Sequence, residues 1–234
     1  MAAWCPGRYA RGMSTPPARP ASDPQRLLTE ETFEGETFTN LDLESADLRG
    51  KEFFRCSFQD SRFQGSVWSK AKLEECVYSS CDLTRAQFSQ TAMRGVRFEN
   101  SKLMGIDWSV VAPFHEMSFE GCNLRYGSFL GLILRKTRIV QCIALETSFT
   151  DMDLAETDFE GTDLSGCTFH NCNLTRADFQ NAMGVFIDPA RNRVKETRVP
   201  VEAAVQLAKS LGLVVPGYGE GPKLGAGGER KRRR

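Results

Sequence analysis

The sequence predicts an all-β solenoid: a four-sided parallel β-helix of about seven to eight coils of ~20 residues, ending in a hairpin and one α-helix. Three observations carry this. A large apolar residue recurs at every fifth position through most of the chain. A small residue stands two positions before most of them. The large residues also sort by type with a period of 20. A helix repeats every 3.6 residues and a strand every 2, so a period of five belongs to neither element alone.

Residues 1–26 precede the repeat. They carry four Arg against one Asp (+3) and lack the apolar stretch of a secretory signal. They are expected to be disordered. No apolar run in the chain approaches the ~18–20 residues of a membrane helix, and a cytoplasmic protein is expected.

The solenoid is expected over 27–184. The register runs from Leu28, Phe33, Phe38 and Leu43 to Trp108, and all seventeen positions are large and apolar. One extra residue intrudes within Ser109–Pro113. The register is expected to resume at Phe114 and runs to Phe179, with Ala144 its one small member. Fourteen of the sixteen Phe lie on it, which rules out coincidence. The companion positions are mostly Ala, Ser, Thr, Gly or Cys, as at Cys56, Ser61, Ala71, Cys76, Thr91 and Thr162. In an extended chain, positions i−2 and i point to the same side. A large and a small inward residue followed by a turn therefore make one side of a square. Four sides close a coil, and coils stack as parallel strands ~4.8 Å apart. Taking every fourth large residue gives Phe38, Phe58, Tyr78, Phe98, Phe119, Ile139, Phe159 and Phe179 as one mostly aromatic column. Leu28, Leu48, Trp68, Phe88, Trp108, Phe129, Phe149 and Phe169 form another. The two columns between them are mainly aliphatic, so opposite faces match.

Residues 185–215 close the fold. Gly184–Val199 predicts two short strands around an Asp-Pro turn. Pro200–Gly212 predicts a helix, with Pro in its first turn, Gly at its stop, and Glu202 and Lys209 complementing its dipole. Val201, Ala204, Val205, Ala208 and Leu211 form an apolar stripe, either a lid on the last coil or a homodimer contact. Residues 216–234, ending in "ERKRRR", are expected to be disordered. That basic run either solubilises the end or touches nucleic acid or acidic lipid.

The motif Ala-Asp/Asn-Leu-x-x occurs as "ADLRG" (46–50) and "ADFQN" (177–181), with "CDLTR", "CNLTR" and "TDLSG" as near variants. Over Leu28 to Ala182, two thirds of the chain, this resembles the pentapeptide-repeat family. The resemblance implies a right-handed quadrilateral β-helix. It also implies dimerisation through the C-terminal helix, as in several members.

The residues of reactive chemistry fall on the repeat and are expected to serve it. His115 and His170 have no motif partner and read as solvated turn residues. Seven of the eight Cys, all but Cys5, occupy the small inward track and read as buried small hydrophobes, with Cys56 stacked on Cys76 and Cys122 on Cys142. Asp47, Asp82, Asp153, Asp158, Asp163 and Asp178 each precede a large residue and are expected to bond the turn backbone. No nucleophile, phosphate-loop or zinc-ligand motif is present, so the reading is a non-enzymatic binding protein without a cofactor or metal.

The zero net charge conceals an asymmetry. Residues 27–184 hold 15 Lys and Arg against 24 Asp and Glu (−9), and residues 185–234 hold 11 against 5 (+6). Glu146, Asp151, Asp153, Glu156, Asp158, Glu160 and Asp163 form a run with no base. A rod bearing regular surface acids has the charge and width to imitate duplex DNA and occupy a basic DNA-binding saddle. Pentapeptide-repeat proteins of the quinolone-resistance type bind DNA gyrase and topoisomerase IV, and the resemblance implies such a partner here. Bases between Arg49 and Lys102 leave the first half of the rod roughly neutral, so the acidic face is expected in the second half. The alternative is a rigid protein-interaction scaffold with no topoisomerase role.

Overall fold

The structure, a computed structural model, describes residues 24–218. The expectations for residues 1–23 and 219–234, including Cys5 and the basic end, lie outside the described residues.

The chain enters through a helix, α1 (Pro24–Thr29), where irregular chain and then a first rung were expected. Successive helical residues point ~100° apart. Leu27 is therefore buried against the first coil, while Leu28, the expected rung, is 45% exposed. Arg26 lies 6.0 Å over the Phe33 ring and pairs with Glu30 and Glu36. Lys51, on the inward track of the next coil, is buried and sends its ammonium to the carbonyls of Leu28 (3.3 Å) and Glu30 (2.5 Å). A cation thus satisfies the free carbonyls at the end of α1.

From Thr32 the chain winds as a four-sided parallel β-solenoid of about seven turns. The first face stacks Thr32–Glu34, Glu52–Phe54, Lys72–Glu74 and Ala92–Arg94. The second stacks six strands from Thr37–Thr39 to Ile139–Val140. The third is a column of single parallel bridges from Asp42 and Arg62 to Asp163 and Met183. The fourth carries Ser128–Leu130, Ser148–Thr150 and Thr168–His170. Partners are 20 residues apart, as Phe38 with Phe58. Across the extra residue they are 21 apart, as Phe98 with Phe119.

The core is the interior of this tower. Phe38, Phe58, Tyr78, Phe98 and Phe119 stack on the second face with ring centroids 4.6–5.5 Å apart. Phe88, Trp108, Phe129, Phe149 and Phe169 stack on the fourth at 5.0–5.7 Å. The two columns face each other and meet edge to face, as Trp108 with Phe119 (76°) and Phe119 with Phe129 (89°). Both are the offset and perpendicular arrangements that aromatic quadrupoles favour. The small track has a second reason besides room. Thr91, Thr147, Thr157 and Thr162 donate their hydroxyls to the carbonyls of Trp68, Leu124, Leu134 and Ile139 in the coil before, at 2.6–2.9 Å. A small donor at this position satisfies a buried carbonyl. Cys76, Cys81 and Cys167 make the same contact through sulfur, and burial pushes their thiols up to about 12.

The outward Asp residues bond their own turns. Asp82, Asp158, Asp163 and Asp178 accept from the backbone N–H two residues on, at 2.9–3.1 Å. The corner residue that follows takes a left-handed backbone, as at Asn40, Arg85 and Glu146 (φ 54, 58 and 55). Gly121 occupies one corner because an added Cβ would lie 2.4 Å from Asn100 Oδ1.

The C-terminal end differs from the expected hairpin. Residues 183–199 continue the solenoid, with Arg193 bridged in parallel to Asn173 and Arg198 to Asp178. Asn192 takes an inward track position, donating to the Phe169 carbonyl (2.9 Å) and accepting from the Cys172 N–H (2.9 Å). The preceding coil offered open carbonyl and amide edges, and these outcompete a local strand pair. Gly184 permits the step, since its Cβ would lie 2.6 Å from Ser165 Cα.

The helix α2 (Val201–Ser210) follows. It ends with Gly212 at φ 80, where Leu213 N–H bonds Ala208 O and Gly212 N–H bonds Lys209 O. Its apolar stripe does not lie on the last coil. Ala203 is its buried residue, Val205 and Ala208 are half-buried, Val201 and Ala204 are exposed, and Leu211 is 70% exposed. The start at Pro200 sets the phase of the helix, so that Ala203 lines the groove to Ala182 and Val185. Among the described residues no helix is long and apolar enough to cross a membrane.

Candidate functional site

The acidic run from Glu146 to Asp163 covers 18 residues, nearly one coil, and the solenoid spreads it around the girth of the rod. Asp153 projects from the first face, Asp158 and Glu160 from the second and Asp163 from the third. Glu146, Asp151 and Glu156 sit at corners with left-handed backbone (φ 53–61). Bases from the coils above and below reach two of the seven. Arg135 approaches Asp153 at 3.5 Å, and Lys136 and Arg176 approach Glu156 at 3.8 and 2.9 Å. Asp151 and Asp153 also accept from Asn171 and Asn173, one coil on, at 2.6 and 2.9 Å. Among the described residues Glu146, Asp151, Asp158, Glu160 and Asp163 make no ion pair, so five carboxylates stay solvated and charged around one level of the rod. Asp158 and Glu160 border a surface hollow with Asp178, Glu196, Arg176 and Arg198.

The second feature is the irregularity at residues 109–116, where the sequence placed Phe114 inside and His115 on a solvated turn. The structure corrects both. The left-handed corner falls on Phe114 (φ 60) rather than two residues later, and corner side chains point outward. Phe114 is 90% exposed. His115 is half-buried and bridges the backbone ladder. In other coils a first-face amide donates directly to the coil before, as Ala92 N–H to Ala71 O (2.9 Å) and Asp153 N–H to Leu132 O (3.0 Å). Here Ile133 N–H donates to His115 Nε2 (3.2 Å), and His115 Nδ1 lies 3.3 Å from Ala112 O. A backbone N–H can only donate, so Nε2 accepts and the proton sits on Nδ1, facing the carbonyl. Desolvation favours this neutral form and lowers the pKa of His115. The sequence signal was available, a His directly after the single break in register, but periodicity says nothing about a side chain that substitutes for a backbone rung.

Comparison with known proteins bears on both features. A pentapeptide-repeat-region family pattern matches residues 31–108, and a pattern of eight pentapeptide repeats matches residues 145–181. The unmatched stretch between them contains the break in register. The chain is similar to the quinolone resistance pentapeptide repeat protein QnrB96 of Scandinavium goeteborgense, 27% identical over 116 residues, 45% of this chain and 54% of the relative. The chain thus spans about half the length of that relative. It is similar over more of its length to protein McbG of Escherichia coli, 32% identical over 179 residues, 76% of this chain and 96% of the relative. Among solved structures, a trypsin-treated variant of QnrB1, a plasmid-mediated fluoroquinolone resistance protein, superposes with a TM-score of 0.57 at 24% identity, over 81% of this chain and 93% of that one. With a five-residue register over more than 150 residues, inward rungs of Phe and Leu, and these matches, the chain belongs to the pentapeptide-repeat family.

Proposed function

We propose that this protein is a non-enzymatic DNA mimic that binds DNA gyrase or topoisomerase IV and protects it from fluoroquinolone poisons. The observation that carries this reading is the charge density of the second half of the rod. Residues 139–184 hold eight carboxylates against one base, Arg176. At 20 residues and ~4.8 Å per coil, they span ~11 Å of rod, or roughly one net negative charge per 1.6 Å. Duplex DNA carries one per ~1.7 Å. As on a duplex, the charge is distributed around the girth rather than confined to one face. A basic saddle built for DNA meets comparable charge on a rigid body, which favours encounter and fixes orientation. Similarity to a quinolone resistance protein supports the same reading.

The test is a supercoiling and cleavage assay with purified gyrase, with and without a fluoroquinolone. The protein should lower drug-stabilised cleavage in a dose-dependent way. The charge reversal Asp158→Lys with Glu160→Lys should need at least tenfold more protein for the same effect. If the unmodified protein changes neither supercoiling nor drug-stabilised cleavage, mimicry is refuted and the rod is a scaffold for some other protein.

A further inference from the structure

The break in register does more than interrupt the coil: it displays an aromatic side chain beside a cationic cleft. Phe114 is 90% exposed, whereas the other thirteen Phe of the five-residue register are buried. Its φ of 60 is one that a bulky residue avoids, and such strain concentrates where a side chain must be presented. The presentation is fixed from both sides. Ala112 N–H bonds Thr91 O (2.9 Å), Glu116 N–H bonds Met93 O (2.8 Å), and the His115 ring ties the segment to Ile133. Ile133 itself is 63% exposed on the same face.

The adjoining cleft is lined by Arg97, Arg135, Lys136 and Arg138, with Glu116 as its one carboxylate, alongside Ile133 and His115. Each of the four cations has an ion-pair partner outside the cleft, but the pairs are long. Arg97 to Glu99 is 3.6 Å, Arg135 to Asp153 3.5 Å, Lys136 to Glu156 3.8 Å and Arg138 to Glu120 3.5 Å. Exposed pairs of this kind hold their partners weakly, so the cations remain free to turn to an incoming carboxylate.

We propose that Phe114 and this cleft form a docking surface for an acidic protein segment carrying an apolar anchor residue. The anchor packs on Phe114 and Ile133, and flanking carboxylates pair with Arg97, Arg135, Lys136 and Arg138. An exposed aromatic centre with a charged rim is the usual build of an energetic interface. The surface is separate from the unpaired acids of residues 139–184 and opposite in sign, so it recruits a different segment from the one a DNA mimic engages.

The test is fluorescence polarisation on the full chain with a labelled peptide of about a dozen residues, rich in Asp and Glu with two central Leu. Comparators are the same peptide with Lys for the acids, the same peptide with Ser for the Leu, and labelled oligothymidine. The acidic Leu peptide should bind at least tenfold more tightly than either comparator peptide. Phe114→Ser and the double change Arg135→Glu with Arg138→Glu should each weaken it tenfold or more, with melting temperature unchanged for Phe114→Ser. Because Phe114 and Ile133 are at the surface, Ile133→Ser provides a second variant that leaves folding intact and should also weaken binding. Equal affinity for all peptides, no binding, or a Phe114→Ser protein that binds as before would overturn the proposal. Tighter, Phe114-dependent binding of oligothymidine would overturn it too and assign the surface to nucleic acid.

Discussion

Phe98 and Phe114 share the five-residue register, yet the structure requires opposite outcomes when each is replaced by alanine. Phe98 is fully buried. Its ring lies between Tyr78 (5.2 Å, 19°) and Phe119 (5.5 Å, 9°) and meets Trp108 edge-on at 5.6 Å. Removing a buried Phe costs about 3–5 kcal/mol through lost burial and the cavity left behind. The tower is rigid along its axis, because the strands on either side are bonded to coils that do not move, so collapse into the cavity is limited and the upper part of that range applies. For a body of this size, ~4 kcal/mol corresponds to a melting shift of about 8–16 °C. Phe114→Ala removes an exposed ring and should change stability by less than about 0.5 kcal/mol. Guanidinium titrations followed by circular dichroism measure both. A double-mutant cycle with Tyr78→Ala should add a coupling of about 0.5–1.5 kcal/mol for the stacked pair. If Phe114→Ala costs more than ~2 kcal/mol, or Phe98→Ala less than ~1, the assignment of inside and outside around the break in register is wrong.

The remaining predictions concern the seams. His115 is held neutral in the fold with its pKa below the ordinary value, so the unfolded chain takes up a proton first as pH falls. Its stabilising contribution is present above about pH 6.5 and is lost as pH drops through the folded value, when a second ring N–H would face the Ile133 amide. The guanidinium midpoint of the parent protein should therefore fall between pH 7 and pH 5 by more than that of His115→Gln, and parallel curves for the two would refute the bridge. Gly184→Ala should cost more than about 2 kcal/mol, because its Cβ would lie 2.6–2.7 Å from Ser165 backbone atoms. Gly131→Ala, with open space and a φ of 70, should show only the left-handed penalty of about 1–2 kcal/mol. Equal losses at the two glycines in a denaturant titration would show that close approach at Ser165 is not what selects Gly184.

Much of this molecule is written in its period. Once the register is counted, Phe38, Phe58, Tyr78 and Phe98 must stack, and the inward place of Thr157 and Cys76 follows from it. Cross-coil neighbours are legible too: Lys136, Glu156 and Arg176 are spaced by 20, and they meet in the fold. The acidic run was legible as composition but not as a surface, since 18 consecutive residues wrap around the rod instead of lining one side. Leu28 and Phe114 fit the register by identity and not by backbone. One sits in a helix and the other on a displaced corner, and a side-chain pattern does not report either conformation.

The sequence by itself determined the four columns, the small inward track and the acidic second half, because a strict repeat fixes which side chains point inward whatever the details of the turns. Tertiary structure alone decided that Phe114 faces solvent, that an imidazole replaces a backbone rung at His115, that residues 183–199 extend the tower, and how α2 is phased. Each of those outcomes turns on which backbone amides and carbonyls of a neighbouring coil, 20 residues away, remain to be satisfied, and that competition exists only once the coils have stacked.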